Sequence, residues 1–158
     1  MVRFTPNAMT VAAARQSGDY SKVLTTKGKL QWLVLSPADG TFFWSNNRLL
    51  ADNNAKQYYQ NSEGIDIRDG LLYFTAKLDK YLFILDLDNQ TYEQSSTISG
   101  AFDGQPDQVA RIITQDPVND MLYFCEDSGN GNGVHARDTD GNYYTIVTAD
   151  SLDSETTG

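Results

Sequence analysis

Three acids stand at related places in this 158-residue chain: Glu63 in "SEGID", Asp107 in "QPDQV" and Glu155 in "SETTG". Forty-four residues separate the first two and forty-eight the second and third. Carboxylates recurring at such intervals can do one of two things. If the fold gathers them, their repulsion must be relieved by a cation, and hard oxygen donors favour Ca²⁺, with Mg²⁺ or Mn²⁺ behind it. If the fold keeps them apart, each acid caps a turn and points into water. Spacing alone leaves both descriptions open.

Other reactive side chains are scarce. Cys125 is the only cysteine, so it has no partner for an intrachain disulfide, a zinc cluster or a redox pair. His135 is the only histidine. A nucleophilic Cys–His pair would need the two in contact, with a third group orienting the imidazole, and "CEDSGNGNGVH" offers no reason for that. No catalytic residue is assigned. The expected roles are a loop histidine and a small buried thiol. "EDSGNGNGVH" reads as an inter-strand loop, with a backbone nest for an ion as the alternative.

The elements that would position the acids emerge when the chain is compared with itself. "EGIDIRDGLLYFTAKLDKYLFILDLDNQTYEQSS" from Glu63 aligns with the stretch from Pro106 to Val147, each holding an acid, an alternating run, "LYF" and a "DxD" turn into a Tyr-containing strand. Fifty residues separate Leu72 from Leu122, and fifty-two separate Asp86 from Asp138. Runs such as "LLYFT", "YLFILDL" and "YYTIV" are aromatic and branched and are bounded by Asp, Asn and Gly, so each unit reads as four short strands. Four antiparallel strands per repeat of this length predict an all-β chain of β-propeller blades. "DLDNQT" and "DTDGNY" are read as hairpin turns. The second cannot be an EF-hand loop, because Tyr143 and Ala149 stand where that loop needs Gly and a bidentate Glu.

Upstream, "LQWLVL" and "TFFWSNN" read as strands of an earlier blade, and "NRLLADNNAKQYY" as a short helix between blades that starts at an Asn. Residues 1–29 read as a poorly patterned N-terminal lead, with "AMTVAAARQ" either a helical turn or irregular. Residues 30–158 are expected to form one propeller segment of about two complete blades plus partial ones, which length alone also favours over two domains.

Composition narrows the partners. Twelve Lys and Arg against 21 acids give a net charge of -9 and a pI near 4.4, which argues against a nucleic-acid backbone and for cations. No stretch approaches the apolar length of a membrane-spanning helix.

"RLLADNNAKQYYQNSEGIDI", "FDGQPDQVARI" and "SETTG" together resemble the PhoX-type alkaline phosphatases, calcium-dependent six-bladed propellers that are secreted. The likeness runs from about Leu30 to Gly158 and is greatest to the algal branch, which carries "EGID", "FDGQPDQ", "GVHARD" and "ETTG" in that order. It implies metal ligation by Glu63, Asp107 and Glu155, with Ca²⁺ as the cofactor. Iron would join only if chain outside this sequence supplied further ligands. It also implies secretion or an organelle lumen.

Two family features are missing. Asn61 stands where the phosphatases place the phosphate-holding Arg, and Asn cannot form that charged fork. The early segment with the bridging Cys is absent, and Cys125 lies in the wrong motif to replace it. The expectation is therefore a calcium-binding propeller segment that serves as a binding or assembly module without phosphatase activity. Its partner would be the remainder of a propeller, a second copy or a larger protein assembly. The alternatives are a metal-dependent phosphoester hydrolase whose other site residues lie elsewhere, and a structural subunit of a larger assembly.

Overall fold

The computed structural model describes residues 1–128 and 132–148. These form an all-β fold of eleven strands with two helices and a 3₁₀ turn at Pro117–Asn119. The strands are β1 (Val2–Pro6), β2 (Gly28–Ser36), β3 (Thr41–Ser45), β4 (Ser62–Arg68), β5 (Leu71–Ala76), β6 (Tyr81–Asp86), β7 (Thr91–Ser96), β8 (Gln105–Ile112), β9 (Met121–Asp127), β10 (Gly133–Arg137) and β11 (Tyr143–Thr148). The helices are α1 (Ala8–Ser17) and α2 (Arg48–Tyr58).

Both repeat units are four-stranded antiparallel meanders, β4–β7 and β8–β11. The expected hairpin turns join their strands. Asp86 accepts the amide hydrogens of Asp88 and Asn89 at 3.0 and 2.9 Å, and Asp138 accepts that of Asn142 at 2.8 Å. Gln90 and Gly141 supply the positive φ these turns demand, at 57° and 89°.

The first meander is extended by β1–β3 into a seven-stranded sheet of order β1-β2-β3-β7-β6-β5-β4. The join between β3 and β7 is narrow, with Thr41 opposite Thr91 and flanking bonds from Phe42 N to Gln90 O and from Tyr92 N to Gly40 O. The sheet curls about this join, so that Leu33, Leu35 and Phe42 share one core with Phe74, Phe83 and Leu85. Phe74 stacks on Phe83 with ring centroids 4.8 Å apart.

α2 plugs the curl. Its N-cap is Asn47, whose side chain accepts the Leu50 amide hydrogen at 3.1 Å, as the Asn start suggested. Where β1 no longer pairs with β2, the Asn54 amide bonds both the N–H and the C=O of Leu35 at 2.8 Å, completing the ladder. Tyr59, just past the helix, is buried and donates its hydroxyl hydrogen to Leu33 O at 2.8 Å.

The stretch 1–29 contains β1 and α1. β1 is largely exposed and α1 buries only Ala14, so neither shows an apolar stripe in the sequence. β1 is held by pairing with β2, from Val2 opposite Trp32 to Pro6 opposite Gly28. Its order comes from the backbone ladder rather than from side-chain pattern.

The two meanders stack face to face. Tyr73, Leu82 and Ile84 of the first meet Val109, Leu122 and Phe124 of the second, with Phe102 from the connection between them. No helix among the described residues is long and apolar enough to cross a membrane.

Candidate functional site: a lysine among carboxylates

Glu63 and Asp107 occupy equivalent places in the two meanders for a structural reason. In each unit the first strand bulges against the second. Ser62 faces Ala76 and Ile65 faces Phe74, so Glu63 and Gly64 together oppose one residue. Pro106 faces Glu126 and Val109 faces Phe124, so Asp107 and Gln108 do the same. A bulge inserts an extra residue and re-aims its side chain, and here each bulge carries the acid.

The packing of β4 against β8 brings the bulges together. A Cβ on Gly64 would lie 2.3 Å from Val109 N, so only glycine allows this approach. Thr75, opposite the first bulge, donates its hydroxyl hydrogen to Asp107 O at 2.8 Å. Farther along the pair, Asp66 Oδ2 accepts the Arg111 amide hydrogen at 2.6 Å.

Lys77, immediately after β5, extends its ammonium into this region. It pairs closely with Asp127 at the end of β9 and stands 3.9 Å from Asp107 Oδ2. The hydrogen bond to Asp127 leads in holding the Lys77 pKa above its usual value, and Asp107, Asp127 and Glu63 add their charges in the same direction. Burial opposes them. Glu63 and Asp107 are thus within electrostatic reach of one ammonium, with Asp127 as a third acid that the repeat comparison missed. Its position at the end of "LYFCED" could have suggested it, since that is where the second strand of the unit returns to the bulge.

Glu155 lies outside the described residues. Among the described residues no group of three or more His, Cys, Asp or Glu side chains closes on one point as a metal site would require. Glu63, Asp107 and Asp127 are arranged around a cation the chain itself supplies. Ca²⁺ at this place would have to displace Lys77 or bind beside it.

Asn61 precedes the bulge with φ of 52°, a left-handed conformation that Asn tolerates better than most residues. Its carbonyl accepts the Lys77 amide hydrogen at 3.0 Å. Asn61 therefore serves as a turn residue that fixes the backbone of both Glu63 and Lys77.

His135 is not a loop residue. It lies on β10, fully buried, with Nε2 2.8 Å from Glu126 Oε2 and Nδ1 3.1 Å from Thr145 Oγ1. Phe102 stacks on its ring at 4.2 Å. Glu126 is also fully buried and accepts the amide hydrogens of Asp103 and Gly104. The pair ties the connection between the sheets to the second sheet. The expected loop placement failed because the Gly- and Asn-rich run hid the strand that begins at Gly133.

Cys125 is half-buried on β9. Burial, and to a lesser extent the charge of Asp107, raise its pKa, which disfavours the reactive thiolate. No protein-family model, curated protein or solved structure matches this chain.

Proposed function

We propose that the chain is an arc of a β-propeller that works as a binding or assembly module, its second sheet receiving a further four-stranded repeat. One observation carries this reading. β5 is buried on both faces, whereas its equivalent β9 alternates strictly between buried and half-buried residues. Tyr73 and Thr75 face the second sheet and are 5% and 0% exposed. Their equivalents Tyr123 and Cys125 face away from the first sheet, alongside the exposed apolar side chains of Ile112 and Val147.

The opposite flank supports the same reading. Ile65 on β4 is 58% exposed, while its equivalent Val109 is covered at 5% by the preceding sheet. On this flank only the edge strand is uncovered, since β2, β3 and α2 cover the rest of the face; the second sheet leaves the broader apolar surface open. Uncovered apolar faces of this kind mark association surfaces. The junction between the two described meanders supplies the geometry of the missing one, so the occupant is another repeat of this type. A propeller of the PhoX kind would provide it.

The sole thiol tests the reading. A chain extended by a second copy of residues 97–148, with the cysteine of the added copy changed to serine, should protect Cys125 from a maleimide by about tenfold relative to the present chain, matching a covering equilibrium of about 1.4 kcal/mol. Unchanged labelling in a folded extended chain would count against it.

A second reading, Ca²⁺ binding at the bulges, is favoured by the excess of carboxylates over ammonium around Lys77. Calorimetry with Ca²⁺ on the metal-stripped protein tests it. Heat is expected from the unmodified chain and much less from Glu63→Gln or Asp107→Asn, and a flat titration throughout would end it. The phosphoester-hydrolase alternative gains no support from the described residues, since the cation at this end is a paired lysine.

A further inference from the structure

At the end of the sheets opposite Lys77, a cleft of about 390 Å³ opens between the two meanders. Tyr73, Asp86 and Glu93 line one wall, and Arg111, Arg137 and Asp138 the other. Most of its charged groups are already engaged. Arg111 donates to the Tyr73 hydroxyl at 2.8 Å and pairs with Asp120 at 2.9 Å. Asp86 is held by the amides of its turn, and Asp138 accepts from Asn142 and from the Tyr144 hydroxyl at 2.8 Å.

Arg137 and Glu93 are the exceptions. Among the described residues neither forms an ion pair, and the Arg137 Nε is buried without a hydrogen-bond partner. Its guanidinium carbon stands 6.0 Å over the ring of Tyr143. The buried hydroxyl of Tyr143 lies near both Ser95 and Arg137, whose interactions partly offset the rise that burial gives the Tyr143 pKa. A guanidinium is charged at every accessible pH and is shaped to bind a carboxylate through two parallel hydrogen bonds.

The ligand cannot be a simple anion. Asp86, Glu93, Asp120 and Asp138 outnumber the two arginines in the lining, so a bare negative charge would be repelled. A molecule carrying a carboxylate for Arg137 and an ammonium for the facing acids satisfies both. Leu71, Ile84 and Met121 are among the residues that add apolar surface for a side chain. We propose that this cleft binds a small zwitterion of the α-amino acid type, with its carboxylate on Arg137, its ammonium toward Asp86 and Glu93, and an apolar side chain between the sheets.

The probe is L-leucine, titrated into the intact chain and followed by amide chemical shifts, with N-acetyl-L-leucine and L-leucinamide as analogues lacking one charge each. Saturable shifts around Tyr73, Arg111 and Arg137 are expected with leucine, and binding at least about tenfold weaker for both analogues. Arg137→Gln should weaken leucine about tenfold and leave the weak binding of leucinamide unchanged. Glu93→Gln, at an exposed strand position, should weaken leucine and spare N-acetyl-leucine, which keeps the test independent of how Arg137→Gln folds. Absence of saturable binding, equal affinity for leucine and its analogues, tighter binding of inorganic phosphate, or an effect of neither substitution would each overturn the proposal.

Discussion

Tyr73 and Tyr123 hold the same place in the repeat, yet the hydroxyl of Tyr73 accepts a hydrogen bond from Arg111 across the junction of the sheets, while that of Tyr123 reaches only the Met121 sulfur at 3.9 Å. The difference is one of covering. Tyr73 lies between two sheets, and Tyr123 lies on the outer face of the second.

Truncation should therefore act unequally on the two. Tyr73→Ala removes a buried ring and an acceptor for Arg111, and is expected to cost about 3–5 kcal/mol. Tyr123→Ala should cost about 1 kcal/mol or less, as for a surface site. Urea denaturation of both variants measures this. Equal losses would mean that the second sheet is covered in solution by a neighbour.

Gly64 sets the approach of β4 to β8. Gly64→Ala would place a methyl group 2.3 Å from Val109 N, and since backbone cannot swing aside, the strands must separate. Overpacking of this kind costs about 1–3 kcal/mol. The variant should also expose the Arg111 amide, now bonded to Asp66, to faster hydrogen exchange. Wild-type stability with unchanged exchange at Arg111 would contradict the close approach.

Glu126 separates charge from hydrogen bonding. Glu126→Ala deprives His135 and the Asp103 and Gly104 amides of a buried acceptor, with an expected cost of about 3–5 kcal/mol. Glu126→Gln keeps an oxygen for the amides and should lose markedly less. Thermal unfolding ranks the two. A glutamine variant as unstable as the alanine variant would show that the negative charge itself, and not its acceptor geometry, holds the connection.

Lys77 stands where the repeat acids would otherwise repel one another. Lys77→Met should lower stability at neutral pH, because Asp107 and Asp127 lose their neutralising partner. If the site admits Ca²⁺, adding the ion should raise the midpoint of Lys77→Met more than that of the unmodified chain. Equal shifts in both proteins would place any bound calcium elsewhere.

Tyr59 predicts a loss of stability at high pH. Burial, assisted by the charge of Asp52, pushes its pKa up to about 12, against about 10 in an unfolded chain. Between those values the native hydroxyl keeps a proton that the unfolded chain has released. Its contribution is thus complete below pH 10, falls as the pH rises and is gone near 12. Tyr59→Phe, which also forfeits the bond to Leu33 O at a cost of about 1 kcal/mol, should flatten this part of the stability curve. An unchanged slope between pH 10 and 12 would refute the assignment.

Much of the fold was legible because its signals are local. "LLYFT" and "YLFILD" alternate or run apolar over strand lengths, and Asp86 and Asp138 announce turns by the amides they cap. The helix from Arg48 declares itself through Asn47. β1 and the start of β10 were not legible. One owes its order to a neighbouring strand's backbone, and the other is masked by a Gly- and Asn-rich run.

The sequence by itself determined that two four-strand units recur with an acid at the same point of each, because strand period, turn chemistry and repeat spacing are properties of neighbouring residues. Only the tertiary structure decided what surrounds those acids. The close packing that Gly64 permits brings Glu63 and Asp107 to one end of the sheets, and the length of the Lys77 side chain lets its ammonium reach Asp127 and approach Asp107 while still feeling the charge of Glu63. Partners such as Asp127 for Lys77, or Glu126 for His135, come from strands distant in sequence or separated by a loop. Their meeting depends on how sheets stack, which no local pattern encodes.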